Sequence, residues 1–530
     1  MNIREIERII DSLHENHPFF SGTKEQSIYE VLSVFEDICS LTMLGSVLNP
    51  CSLQKITHYL DALNQALYWI ENSNLSSNIQ PLNRDISEDR YKYSTSLLLD
   101  YAYPYSVICS GYISYSRKRL IANVENNTIT FDFPKGYNNS AWNDILREVN
   151  QFSLDSIFKC FNPLEISKAY TELQKEIRIE NGDIVYNITS EVIDLFLNIA
   201  ETQWNATKTL PDSWKFDEFT LDDYRKVWIS LAALCYIHFF SDLKVQDPLD
   251  RLRNSIITMP LNSIIEYVIN ICGVEKRTVE LIIDYITFEP TKLNVDIMYQ
   301  PIVVLSNDIV LLAPMLLINS RPERNLLSVV CSKSDFEHSK EVNELEDLMV
   351  QELESVIPHS NALIITKHKK LGGRLPDIDF ALLDTTTNTA LMCELKWFIA
   401  ADSTKEVYAR EDDITHGCEQ SNSIMTYAMI NRKHFIKQVF DYDDGENVDL
   451  FCCVVARHNI RTQNNYIPVI DLDKIKKLFL TQSVNSVFHT IRNHKYEESI
   501  PEEASITYQV VKYGDFTFKI PAICFESKPL

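Results

Sequence analysis

Apolar positions recurring every three to four residues dominate the first half of the chain. IREIERIIDSLHE, YEVLSVFEDICSLTML, EVIDLFLNIAETQW and SIIEYVINICGV all carry the spacing of an amphipathic helix. The pattern therefore predicts a mostly α-helical region over residues 1–290. One stretch near 105–135, SVICSGYISYSRKRLIANVENNTITFDFP, reads instead as two or three strands turning at Glu125, Asn126 and Asn127 and ending at Pro134, a small β insertion. The longest apolar run, Val227 to Phe240, is shorter than the ~20 residues a membrane span needs and reads as a buried helix. No repeat of solenoid period and no low-complexity tract interrupts this texture.

The pattern changes near residue 298, where QPIVVLSNDIVLLAP places two apolar runs around Ser306, Asn307 and Asp308, a hairpin opening a new region. A helix over about 340–355 follows, then the strand ALIITK, a basic loop with glycines, two further strands, a helix over about 412–430 and the strand LFCCVVA. The order is α, β, β, β, α, β. The fold class expected is α+β: a helical region over 1–290, then an α/β domain with a central mixed sheet over 291–530, its core at about 335–460.

Length and composition fit this division. A chain of 530 residues, 45% hydrophobic and 23% charged, is too long for one hydrophobic core and too apolar to be disordered. A net charge of -24 excludes a surface that is basic throughout, so any contact with nucleic acid has to be local. The 12 cysteines form no C-x-x-C pair, which fits neither a zinc ribbon nor a disulfide framework. With charge where an export signal would carry its apolar run, a cytoplasmic protein with no membrane segment is expected.

The candidate chemistry lies in GGRLPDIDFALLDTTTNTALMCELKWF, residues 372–398, two strand-like runs around the polar stretch TTTN. If the loop is Thr385 to Asn388, Asp379 stands opposite Glu394 and Asp377 opposite Lys396. Period-two alternation then puts all four side chains on one face, with Ile378, Phe380 and Leu382 against Leu391, Cys393 and Leu395 on the other. Opposed Cβ atoms in such a pair lie about 4.5 to 5.5 Å apart, near enough for Asp379 and Glu394 to share a divalent cation, with Asp377 completing the shell. Clustered carboxylates in a buried strand need a compensating charge, and a hard, oxygen-seeking ion such as Mg2+ (Mn2+ as substitute) suits them. Lys396 would then orient a water or stabilise charge building on a phosphate. The bland alternative makes Asp377 a turn residue, Asp379 a cap and Glu394–Lys396 a surface ion pair.

Pro376-Asp377 followed by Glu394-x-Lys396, set in this order of elements, resembles the PD-(D/E)xK nuclease superfamily, which includes type II restriction endonucleases and Holliday-junction resolvases. The resemblance covers roughly residues 335–460. It implies a restriction endonuclease-like fold in which Asp379 or Asp377, then Glu394, bind magnesium while Lys396 assists the water. Many members add an acid from the preceding helix, for which Glu346 is the most similar residue, and some a glutamine on the following helix, where Gln420 stands.

Lys367, Lys369, Lys370 and Arg374 line the loop entering this segment and are candidate phosphate contacts, with Gly372 and Gly373 permitting close backbone approach. His416 with Cys418 resembles a metal-ligand fragment but lacks spaced partners and reads as helix; Cys452 and Cys453 read as core. The function expected is a magnesium-dependent nuclease acting on DNA, with restriction or phage defence as the setting. The helical region would recognise, regulate or assemble, as a homodimer or with a protein partner. The alternatives are a catalytically silent nuclease-fold scaffold and a metal-dependent hydrolase of small phosphate esters.

Overall fold

The computed structural model describes residues 2–46, 52–77, 80–135, 161–216, 218–289, 296–333, 340–462, 466–497 and 504–525, and mixes helices with several sheets. The helical half is organised around Leu221–Asp242, where 16 of the 22 residues are buried. A helix apolar on every face cannot lie on a surface, so other helices must surround it. Its start is fixed by a capping box, in which Thr220 accepts from the Asp223 amide while the Asp223 carboxylate accepts from the Thr220 amide. Among the described residues, no helix is long and apolar enough to cross a membrane.

One expectation for this half needs correction. Tyr103–Ser116, read as strand, is a helix, and only Ile121–Glu125 and Thr128–Asp132 form the hairpin, turning at Asn126 with φ 54°. Its serines explain the error. Ser106, Ser110 and Ser114 return their hydroxyls to the carbonyls four residues back, so residues that look strand-like or loop-like are satisfied within a helix. Local propensity yields to packing here.

The division expected near residue 290 falls on 290–295, outside the described residues. One continuous core runs from Phe19 to Leu345 and takes in Ile297, Leu311, Leu316 and Val330. The expected hairpin forms as Val303–Val304 and Ile309–Leu312, but it pairs with Ile257–Pro260 and so belongs to the helical half. The end of the chain also returns: Ala504–Tyr513 and Phe516–Phe525 complete a four-stranded sheet with the 121–132 hairpin.

Between these lies a five-stranded mixed sheet whose spatial order follows the chain: Leu363–Lys369, Ile378–Asp384, Thr389–Lys396, Asp449–Ala456 and Val469–Asp471. The first three strands are antiparallel and the last two join in parallel. Apolar side chains cover both faces, as a parallel segment requires. Phe380, Leu382, Leu391 and Cys393 meet Met349 and Leu353 of the Lys340–Val356 helix. Ala381, Leu383, Ala390 and Met392 meet Ile424 and Ala428 of the long Thr404–Ile430 helix.

Candidate active site

The hairpin that carries the site has the register its sequence predicts. Asp384 stands opposite Thr389 and Phe380 opposite Cys393, so Thr385 to Asn388 is the loop. Asp384 Oδ1 accepts from the Thr386 amide at 2.9 Å and the Thr386 hydroxyl at 2.5 Å, and Asn388 adopts φ 47°, a left-handed value that asparagine tolerates. The two strands therefore cannot slip.

The ladder stops at Phe380–Cys393, one step before the acids. Beyond it Asp379 Oδ2 accepts from the Leu395 amide at 2.8 Å, so the carboxylate takes the place of a backbone carbonyl. Glu394 is 6% exposed, and its Oε1 receives Lys396 Nζ at 2.8 Å. Lys396 Nζ also donates to Gln420 Oε1 at 2.9 Å. Gln420 reaches it from the Thr404–Ile430 helix, which crosses this face of the sheet.

Gly417 permits that approach. A Cβ there would stand 2.9 Å from Lys396 Cε and 3.3 Å from Lys396 Cγ, closer than side chains ordinarily pack, with Glu394 Cγ in contact at 3.4 Å. The expectations drawn from sequence passed over this glycine, although a glycine inside a 27-residue helix is itself a signal of close packing.

The acids share one electrostatic field. Burial first, then the Asp379 charge, pushes the Glu394 carboxyl up to about 7, against the pull of Lys396. Asp379 is raised by burial, with the Leu395 amide, Lys396 and His368 opposing and Asp377 adding. Glu346 is raised by burial and then by Asp379, which places it in the same field, with Lys396 and His368 again opposing. His368 is a second residue missed, hidden among the lysines of its loop. It stands at φ 48°, with Nε2 2.9 Å from Asp347 Oδ1.

Other expected members stand apart. Asp377 is exposed, precedes the strand and is not apposed to Lys396, because the ladder has ended and Ile378 packs with Ala381 and Leu383 instead of Phe380 and Leu382. Strand alternation breaks at that point, so the period-two argument does not reach residue 377. Lys367 is paired with Glu354 at 2.8 Å, while Lys370 and Arg374 are exposed and Lys369 is partly so. Gly372 and Gly373 have φ of 83° and 71° with nothing within 4 Å of either Cβ position. Cys418 is buried beside Ile414 and Val454, His416 is exposed, and Cys452 and Cys453 are core.

Carboxylate oxygens that raise one another's pKa fit a hard cation in kind, since such an ion would relieve the repulsion that burial intensifies. Asp379 and Glu394, with Glu346, would hold it. Among the described residues, however, no three His, Cys, Asp or Glu side chains are gathered into a ready-made cage. No family model, no curated protein and no solved structure matches the chain.

Proposed function

We propose that the protein is a Mg2+-dependent nuclease of the PD-(D/E)xK type, hydrolysing phosphodiester bonds in DNA, with a restriction endonuclease-like unit around residues 340–460. One observation carries this reading. Lys396 Nζ is held between Glu394 and Gln420 on the strand that faces Asp379, in the acid, acid-x-lysine arrangement on adjacent strands that phosphodiester hydrolysis uses. The chemistry supplied by Mg2+ when bound is Lewis acidity at the phosphate. Glu394 and Asp379 bring the negative charge that draws a cation to this point. The Lys396 ammonium stabilises charge developing on the phosphate oxygens, and its three donors leave one beyond those given to Glu394 and Gln420. Lys370 and Arg374, exposed on the entering loop, supply local positive charge on a chain of net charge -24. Restriction or phage defence remains the setting proposed, with the helical half as recognition or regulatory element.

A second reading is favoured by the Glu394–Lys396 contact itself. An ion pair that neutralises the buried acid without a cation suits a nuclease-fold protein that binds and does not turn over. Purified protein incubated with linear, circular and single-stranded DNA and with RNA in Mg2+, beside Lys396→Ala, separates the two. Cleavage that disappears in the variant supports the nuclease, whereas equal cleavage by both removes Lys396 from the mechanism.

A further inference from the structure

The chain leaves the site strand at Lys396, crosses the connector 397–403 and enters the Thr404–Ile430 helix that brings Gly417 and Gln420 back over Lys396. The geometry of Lys396 therefore depends on how this connector is folded. Side chains from the helical half hold it: Arg321 Nη1 lies 3.8 Å from Asp402 Oδ1, and Arg324 makes the closer contacts. Arg324, 8% exposed on the Pro322–Lys333 helix, donates through Nε to the Ala400 carbonyl at 3.0 Å and through Nη2 to Glu406 at 2.7 Å. Its Nε also lies 2.8 Å from Asp402, and the guanidinium sits 4.9 Å from the centre of the Tyr299 ring, whose hydroxyl donates to Glu406 at 3.3 Å.

We infer that Arg324 is a positioning residue for Lys396: by binding the connector and the first turn of the Thr404–Ile430 helix at once, the helical half fixes the helix that presents Gln420 to the lysine. The physical case has three parts. Asp402 and Glu406 are two carboxylates four residues apart whose repulsion Arg324 chiefly offsets; the Asp402 amide donating to Glu406 at 2.8 Å and Arg321 3.8 Å from Asp402 remain without it, so its loss loosens the turn. A planar guanidinium reaches a carbonyl and two carboxylates together, which an ammonium on a flexible stem cannot do. Glu406 and Gln420 lie on one continuous helix, about 21 Å apart at 1.5 Å per residue, so a shift at its start is carried to the site. The same helix is docked again by Arg119, which forms a partly buried ion pair with Glu411, and by Tyr408, whose hydroxyl donates to Ser114 at 2.8 Å. The helical half thus sets the site through this helix, and the functional weight of this rests on Lys396 being part of the active site.

The test reads Lys396 directly and needs no turnover. The full-length protein, Arg324→Lys, Glu406→Gln and the milder Tyr299→Phe are treated with acetic anhydride, and the acetylation rate of Lys396 is followed by peptide mass spectrometry with exposed Lys92 as internal reference. Thermal unfolding shows which variants are folded. Releasing one charge-assisted hydrogen bond at Lys396 is expected to raise its rate about five-fold or more in Arg324→Lys and Glu406→Gln, and less in Tyr299→Phe, with Lys92 unchanged. Lys396 reacting at the wild-type rate in every folded variant overturns the inference. DNA cleavage assayed beside it keeps the two ideas separate: faster labelling with an inactive wild type leaves the positioning role standing without the nuclease, and cleavage with unchanged labelling leaves the nuclease without the positioning role.

Discussion

Replacing Glu394 by glutamine gives the sharpest test of the site's electrostatics. Glu394 is 6% exposed, and burial with the Asp379 charge raises its carboxyl from 4.5 to about 7. A raised carboxyl favours the protonated native state, so its contribution to stability is complete below pH 4.5 and is lost as the pH climbs through 7. At about 1.4 kcal/mol per pKa unit the whole loss is about 3 kcal/mol, most of it between pH 5 and pH 8. Glutamine does not titrate. The pull of Lys396 on the ionised acid is already contained in that raised value, so it is not counted again. Native-state hydrogen exchange of the Thr389–Lys396 strand, corrected for intrinsic rates and taken against urea, reports the local opening free energy. Relative to wild type, Glu394→Gln should gain about 2 to 3 kcal/mol at pH 8 over its value at pH 5. Mg2+ should narrow that gap by stabilising wild type alone, by about 2.7 kcal/mol at a hundred times its dissociation constant. A difference independent of pH, or one of opposite sign, would show that Glu394 is not held in a strained, desolvated site.

Gly417→Ala should leave the unfolding temperature nearly unchanged, because the methyl group meets the flexible end of Lys396, yet lower DNA cleavage by about ten-fold or more through displacement of that lysine. Gln420→Ala removes a hydrogen bond to an ammonium and should cost about ten-fold in kcat with KM little altered. Glu411→Ala removes the charge-assisted hydrogen bond from Arg119 and should weaken the docking of the long helix by about 2 kcal/mol, seen as faster exchange over residues 404–430. Lys370→Ala with Arg374→Ala should weaken DNA binding uniformly across sequences and reduce the slope of log affinity against log salt by about 2.

The sequence by itself determined whatever depends on neighbours along the chain. A four-residue polar loop between two apolar runs sets the register, because only one pairing keeps both sets of apolar side chains buried; Phe380 opposite Cys393 follows from that. The same local logic separates the all-round apolar helix around Val227–Phe240 from a membrane span and orders the elements from Lys340 to Ala456. Tertiary structure decided where a pattern ends and what covers it. The hairpin ladder stops before Asp379, so alternation could not place Asp377, and a side chain took over the backbone's hydrogen bond. Tyr103–Ser116 is helical because its faces are packed and its serines satisfied from within, which no propensity shows. Hydrophobic periodicity says that a face is buried without saying against what, and Ile297, Leu311, Leu316 and Val330 found their partners in the core of the helical half. Gly417, His368 and Arg324 matter through contacts with residues distant in the chain, and those contacts exist only once the long helix lies across the sheet.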